Sequence, residues 1–126
     1  SIAVILAIGF LFQNTEAQAS DLASVSPEMQ KTQSFFTTAI NKELQTLKSF
    51  ESPETKELVD DALQQIEILE QEYNTLKTDL AESGNDKRVI YAMITNFQNR
   101  IDLLENVIKT IEEIKTLKAN KNETTI

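Results

Sequence analysis

The sequence has 126 residues and a net charge of −8, with 20 acidic side chains against 12 basic ones. This balance argues against nucleic acid as a partner, because binding to phosphates requires a basic patch. The chain also lacks Cys and His, so neither disulfides nor the nucleophile–base pairs built on these residues are available. We therefore expect a protein that is not an enzyme, has no cofactor and depends on packing for its stability.

An apolar run, IAVILAIGFLF, occupies residues 2–12. A core helix or strand is rarely apolar on every side, so the run is typical of a membrane span or of the core of a signal peptide. Because a span requires about 20 apolar residues, we expect a transmembrane helix that extends upstream of Ser1 and is truncated here. The residues predicted to lie in the membrane are Ile2, Val4, Ile5, Leu6, Ile8, Phe10, Leu11 and Phe12.

The residues after the run indicate an orientation and leave a second interpretation open. Ala17 and Ala19 have the spacing of a signal-peptide cleavage site, so a cleaved signal competes with the retained span that we favour. An apolar helix packed on a soluble bundle is a third, less favoured alternative. The first basic residue is Lys31, whereas cytoplasmic flanks of spans tend to carry Lys and Arg. The rest of the chain is therefore predicted to lie outside the cytoplasm.

Residues 13–25 are predicted to be a linker, followed by a helical domain at 26–118 and a disordered tail at 119–126. The motif Ser-Pro-Glu at 26–28 combines a cap, a favourable first residue and an acid at the positive end of the helix dipole. It predicts a first helix that ends near Phe50. The same motif at 52–54 predicts a second helix that turns back sharply on the first.

The second predicted helix carries an a/d heptad pattern, which is typical of coiled-coil-like packing. Its two series are Val59, Ile66, Tyr73 and Leu80, and Ala62, Leu69 and Leu76. Gly84 suits a left-handed helix end. A third helix, with apolar residues at steps of three and four, is predicted to run from there to about Leu117.

Charge supports an antiparallel pairing of the second and third helices. Residues 51–72 hold eight acids and one Lys, whereas residues 109–121 hold four Lys and two Glu. A reversal at Gly84 places these stretches side by side with opposite charge. The predicted fold is all-α: an elongated antiparallel three-helix bundle with a long coiled-coil-like hairpin, preceded by the truncated transmembrane helix.

Polar residues cluster at and beyond the hairpin tip and form the candidate interaction site. We expect either that they bind a protein partner or lock the helix register, or that they form an ordinary capped turn in which Arg88 or Arg100 pairs with a Glu of another helix. The second interpretation is favoured. The candidate residues are Asp86, Lys87, Arg88, Asn96, Asn99 and Arg100.

Acid pairs and a pair of adjacent Phe residues are two further candidate sites. Acid pairs such as Glu67 with Glu70 occur at helical spacing, but without His they are better interpreted as a solvated face than as a metal site. Phe35 and Phe36 are adjacent and cannot both face one core, so one of them is expected to be shared with the N-terminal helix or exposed to a partner. A homodimer is therefore possible.

Two blocks of sequence resemble a known family. One, at 26–36, reads SPEMQKTQSFF, and the other, at 82–101, reads ESGNDKRVIYAMITNFQNRI. Together they resemble the C-terminal part of a family of small single-span membrane proteins of Bacteroidota-type bacteria, often encoded beside an extracytoplasmic-function sigma factor. The similarity covers most of the chain, from the apolar run to about Lys118.

The resemblance implies a single-pass inner-membrane protein, anti-sigma-factor-like, with a periplasmic domain that senses or binds a partner. It implies that a sigma factor would be bound only by a segment upstream of this sequence, so no residue here is assigned to that contact. The alternative is a secreted or anchored periplasmic coiled-coil module with a structural or chaperone-like role.

Overall fold

A computed structural model of the chain describes residues 19–124. They form a short 3-10 helix, Leu22–Ser24, and three α-helices: α1 (Pro27–Ser49), α2 (Lys56–Ser83) and α3 (Lys87–Thr124). No strand occurs in this part of the chain, and the expectation of an all-helical three-helix bundle is confirmed. None of the described helices is both long enough and apolar enough to cross a bilayer. The predicted membrane residues at 2–12 lie outside the described residues.

Helix α1 begins as the sequence predicts. The Oγ of Ser26 accepts a hydrogen bond from the Met29 N–H at 3.1 Å, and Pro27 occupies the first helical turn, where its missing N–H costs nothing. Ile40 and Leu47 are buried on the inner face of the helix. Phe50 closes the helix through its N–H, which reaches the carbonyl of Leu47.

The corner between α1 and α2 differs from the prediction. The second Ser-Pro-Glu motif, at 52–54, forms a turn, and α2 begins only at Lys56. The reason is Thr55, whose side chain is buried. Its Oγ1 donates to the Phe50 carbonyl at 2.7 Å and accepts from the Ser52 N–H at 3.0 Å. These bonds close the corner before the helix can start.

The heptad pattern of α2 is confirmed by burial. The series spaced by seven, Val59, Ile66, Tyr73 and Leu80, is buried along its whole length. The helix ends at Gly84, which adopts the left-handed conformation with φ 66° and ψ 47°. Asn85 follows with φ 67°, and its N–H donates to the Leu80 carbonyl at 3.2 Å. The two left-handed residues reverse the chain into α3.

Contacts along the bundle show how the helices run. Phe36 of α1 stacks on Phe97 of α3, with ring centroids 5.5 Å apart, and the Phe50 ring lies 4.2 Å from the Lys115 Nζ. Helices α1 and α3 are therefore parallel. Lys118 forms an ion pair with Glu54 at the start of α2, as the opposite charges of the two stretches predict, so α2 and α3 are antiparallel.

Helix α3 is longer than predicted, since residues 119–124 continue it where a disordered tail was expected. At 1.5 Å per residue, its 38 residues span about 57 Å. The ion pair of Lys118 with Glu54 joins this part of the helix to the residues just before α2, and Lys121 near the C-terminus complements the negative end of the helix dipole. The prediction of a disordered tail did not include these two charge interactions, because it relied on apolar periodicity alone.

Residues 19–25 pack on the bundle, although they belong to the linker predicted at 13–25; residues 13–18 of that linker lie outside the described residues. We call residues 19–25 the strap. Leu22 is fully buried in the core, and the Ser20 N–H donates to the Lys77 carbonyl at 3.0 Å. Asp21 lies 3.5 Å from the Lys77 Nζ, and the Ala23 N–H donates to the Gln33 Oε1 at 2.7 Å. The strap therefore covers the part of the hairpin that extends beyond the start of α1.

Candidate functional site

A polar layer crosses the core between α2 and α3. It consists of Tyr73, Asn96, Phe97 and Arg100, which are all buried. The Asn96 Nδ2 donates to the Leu69 carbonyl at 2.9 Å, and the Arg100 Nε donates to the Asn96 Oδ1 at 3.0 Å. Asn96 thus bridges the backbone of one helix to the guanidinium of the other.

Arg100 is held by aromatic rings. Its Cζ lies 4.7 Å from the Phe97 ring centroid and 5.4 Å from that of Tyr73, within the range of cation–π attraction. None of the three ion pairs in the described part of the chain includes Arg100. Burial lowers the pKa of its guanidinium, and the nearby charge of Glu70 opposes that shift. Of the two arginines predicted to pair with a Glu of another helix, Arg88 pairs instead with Asp86. Arg100 forms none of these close ion pairs, and the charge of Glu70 on α2 acts on it from a longer distance.

Tyr73 joins the polar layer to the strap. Its hydroxyl oxygen accepts the Leu22 N–H at 3.2 Å, and its ring lies 4.8 Å from that of Phe97. Burial raises the pKa of the Tyr73 hydroxyl, the Leu22 hydrogen bond opposes this, and the charge of Asp21 adds to it. The same side chain thus contacts the core on one side and the N-terminal attachment on the other.

The hairpin tip is a capped turn. The Asp86 Oδ1 accepts the Arg88 N–H at 2.8 Å, and the Asp86 Oδ2 lies 3.2 Å from the Arg88 Nη2. The Arg88 side chain holds the pKa of the Asp86 carboxyl below its usual value. The carboxylate thus offsets the two basic residues that open α3, Lys87 and Arg88, at the positive end of the helix dipole. Lys87 is exposed.

The structure separates the six candidate residues into three groups. Asp86, Lys87 and Arg88 form the tip, and Asn96 and Arg100 lie in the core. Their burial favours the register-locking interpretation for these two residues, although Asn96 also lines the groove described below. Asn99 is exposed, and it lines a surface groove that sequence reasoning did not identify.

That groove runs between α2 and α3 on the outer side of the hairpin, and we call it the α2–α3 groove. It consists of two adjoining depressions of about 530 and 400 Å³ that share Asn99. Tyr91 lines one depression and is 73% exposed, and Ile68 lines the other and is 50% exposed. Since Phe97 faces α1 and helical positions repeat every 3.6 residues, the groove side of α3 faces away from α1.

The two other candidate sites, the adjacent Phe residues and the acid pairs, show no arrangement of polar groups comparable to the polar layer. Phe35 is 69% exposed and packs edge-on against Phe36, with centroids 5.8 Å apart, so Phe36 takes the core position. No group of three potential metal ligands occurs within residues 19–124. Leu22 and Met93 are fully buried core residues that the predicted pattern left out. Met93 lies four residues before Phe97, a spacing that could have revealed it.

No family model matches the sequence, and no curated protein or solved structure is significantly similar to it. The fold and the contacts above therefore define a class of architecture: a three-helix bundle with a packed N-terminal strap and a buried polar layer.

Proposed function

We propose that the protein is a membrane-anchored, non-enzymatic regulator, anti-sigma-factor-like, whose helical bundle is an interaction or sensing domain in the periplasm. The observation that carries the proposal is the packed strap, which follows the apolar run so closely. Only residues 13–19 separate the run from the first strap contact, and seven extended residues reach at most about 25 Å. A membrane-inserted run would therefore hold the bundle close to the bilayer.

The strap supports a regulatory role because it links the anchor to the core. The Leu22 side chain is buried in the bundle, and its N–H is bonded to Tyr73. A displacement of the anchored end would have to break these contacts before the chain could extend. A bundle connected in this way can couple a change in its own packing to the membrane segment, as a sensing domain requires.

Localisation tests the anchor directly. The protein is expressed from its own gene, and membranes are washed with alkaline carbonate, which releases peripheral proteins. We expect the chain to stay in the membrane fraction and the bundle to be cleaved by protease added to spheroplasts. Recovery in the soluble periplasmic fraction would overturn the anchor.

A second experiment tests the regulatory output. The resemblance to proteins encoded beside extracytoplasmic-function sigma factors makes sigma-factor control the output to examine first. Affinity purification of the protein from its own gene should co-purify such a sigma factor. Deleting the gene should raise transcription from that factor's promoters, and unchanged transcription together with no co-purification would refute this part of the proposal.

One observation favours the alternative of a secreted coiled-coil module. Within residues 19–124, the first residue with a hydrogen bond to the bundle is Ser20, directly after the cleavage-like Ala17 and Ala19. A mature chain that starts at Ser20 would keep all of the strap contacts of residues 20–25. Mass spectrometry of the mature N-terminus distinguishes the two functions, because only cleavage produces a chain that begins at Ser20.

A further inference from the structure

The α2–α3 groove has the dimensions of a docking site for a helix. From Tyr91 to Leu103 its α3 wall covers about 18 Å, or roughly three helical turns, at 1.5 Å per residue. Its walls are two antiparallel helices, and a further helix placed between them would complete a four-helix arrangement. Grooves of this kind bind amphipathic helices through apolar residues at steps of three, four and seven.

Each depression of the groove carries one exposed apolar side chain. Ile68 lies in the depression near Leu103, and Tyr91 lies in the depression near Leu76. The two are therefore separated along the groove and can contact successive turns of one helix. Leu69, Leu76 and Leu103 are half-buried between them and provide an apolar floor.

The charge on the groove decides what kind of helix fits. Glu72 and Asp102 line the groove and are exposed, and no Lys or Arg is among its lining residues. Asp61 and Asp79 continue the row of Glu72 along α2, since all three recur at helical spacing on one side. A second copy of the chain docked through the same groove would oppose these carboxylates with its own, which is unfavourable.

The nearest basic residue on the same side of α3 does not change this balance. Arg88 lies one turn before Ala92, but its guanidinium is paired with the Asp86 carboxylate at 3.2 Å. The groove therefore presents an apolar floor with an acidic border. The complementary ligand is an amphipathic helix with an apolar seam and a basic border.

We propose that the α2–α3 groove binds a helix of a partner protein whose apolar seam is flanked by Lys or Arg. This inference rests on the proposed function only in assuming that the bundle acts through protein contacts. It specifies the surface and the chemistry of the partner, which the proposed function leaves open.

In-cell photo-crosslinking tests the groove. A photoreactive phenylalanine analogue replaces Ile68 in the protein expressed from its own gene, and the cross-linked segment is sequenced by mass spectrometry. We expect a segment of another protein with apolar residues at steps of three and four and an excess of Lys and Arg beside them. The same analogue at Phe35, an exposed aromatic position on α1, is the matched control and should not capture that segment.

Charge reversal gives the decisive comparison. The double variant Glu72→Lys with Asp102→Lys changes only exposed side chains and should lower the crosslinking yield at position 68 by about fivefold or more, since attractive pairs become repulsive. A synthetic peptide of the captured segment should bind the purified protein, and Ile68→Glu should weaken this binding by about tenfold or more through loss of apolar contact. Phe35→Glu should leave it unchanged.

Several results would overturn the proposal. These are no crosslink at position 68, a crosslink to a second copy, to lipid or to an acidic segment, or a yield that charge reversal leaves unchanged. Failure of the groove proposal can be distinguished from failure of the proposed function. A soluble chain that begins at Ser20 and still captures a basic helix removes the membrane anchor but keeps the groove, whereas an anchored chain without the crosslink removes only the groove.

Discussion

Replacing Asn96 by Leu tests the polar layer most directly, because Asn96 is the link between the two helices. The substitution keeps a side chain of similar size in the core but removes two hydrogen bonds. One is the bond to the Leu69 carbonyl at 2.9 Å, and the other is the bond from the Arg100 Nε at 3.0 Å. The loss of the bond from Arg100 should account for most of the decrease in stability.

The expected cost follows from what each lost bond leaves behind. The Leu69 carbonyl lies within α2, where it also accepts a backbone N–H four residues on, so it keeps a partner. The Arg100 Nε, in contrast, becomes a buried donor without an acceptor. Leaving a buried polar group unsatisfied costs about 1–3 kcal/mol, and more for a charged one. We therefore expect Asn96→Leu to lower the free energy of unfolding by about 2–3 kcal/mol.

A double-mutant cycle separates this mechanism from a simple packing defect. Arg100→Met retains a long apolar side chain but removes the charge, and the relief from burying a guanidinium offsets the lost ring contacts. Because the buried Asn96 Oδ1 then loses its donor, Arg100→Met alone should cost about 1–3 kcal/mol. With Met at position 100, Asn96→Leu leaves no buried polar group without a partner. The double variant should therefore recover most of the stability that Asn96→Leu loses alone.

Urea unfolding followed by circular dichroism at 222 nm, with the full chain in mild detergent, measures each corner of the cycle. Asn99→Leu is the matched control, because it makes the same chemical change at an exposed position of the same helix and should change stability by no more than about 0.5 kcal/mol. Additive effects of Asn96→Leu and Arg100→Met would refute the reasoning. So would a loss of less than about 0.5 kcal/mol for Asn96→Leu alone.

Further predictions concern the strap, the hairpin turn and alkaline pH. Leu22→Ala should lower the free energy of unfolding by about 2–4 kcal/mol, because the side chain is fully buried. It should also speed hydrogen exchange of the backbone amide at position 22; unchanged exchange would show that this side chain does not hold the strap. Gly84→Ala should lower the free energy of unfolding by about 1 kcal/mol, measured by thermal unfolding, through its φ of 66° alone, since no heavy atom beyond its chain neighbours lies within 4 Å of the added Cβ. The pKa of Tyr73 is raised in the fold, so stability is fully present below the unfolded pKa of about 10 and should fall as pH rises above it. Tyr73→Phe should abolish that part of the pH dependence, and an identical pH profile for both proteins would contradict the assignment.

The parts of the fold that the sequence predicted are those governed by repeated or local signals. The a/d series of α2 requires one buried face whatever the partner, so Ile66 and Leu80 could be placed in the core from spacing alone. Ser26 and Gly84 act within their own helix ends, where a side-chain cap or a left-handed residue decides the outcome locally. These predictions needed no knowledge of what lies across the core.

The features that were missed depend on partners distant in sequence. The N–H of Leu22 bonds to the Tyr73 hydroxyl, which lies 51 positions later in the chain, and an isolated Leu after Ser20 and Asp21 has no periodicity that would reveal its burial. Thr55 delays α2 because its hydroxyl meets the end of α1. Arg100 and Asn96 occupy core positions of α3, and a binary apolar–polar pattern assigns such residues to the surface.

Tyr73 connects the polar layer to the strap, so the two features depend on each other. An uninterrupted apolar seam permits neighbouring helices to shift by a heptad at little cost, whereas a buried polar residue with one correctly placed partner penalises every other register. The contacts of Tyr73 with Arg100 and Phe97 should fix the register of α2 against α3 in this way, because a shift by one heptad would put Ile66 or Leu80 in place of Tyr73. That register places the Tyr73 hydroxyl where the Leu22 N–H meets it. The attachment of the N-terminal segment therefore depends on the helix register of the hairpin. Detaching the strap should loosen the register, and shifting the register should detach the strap.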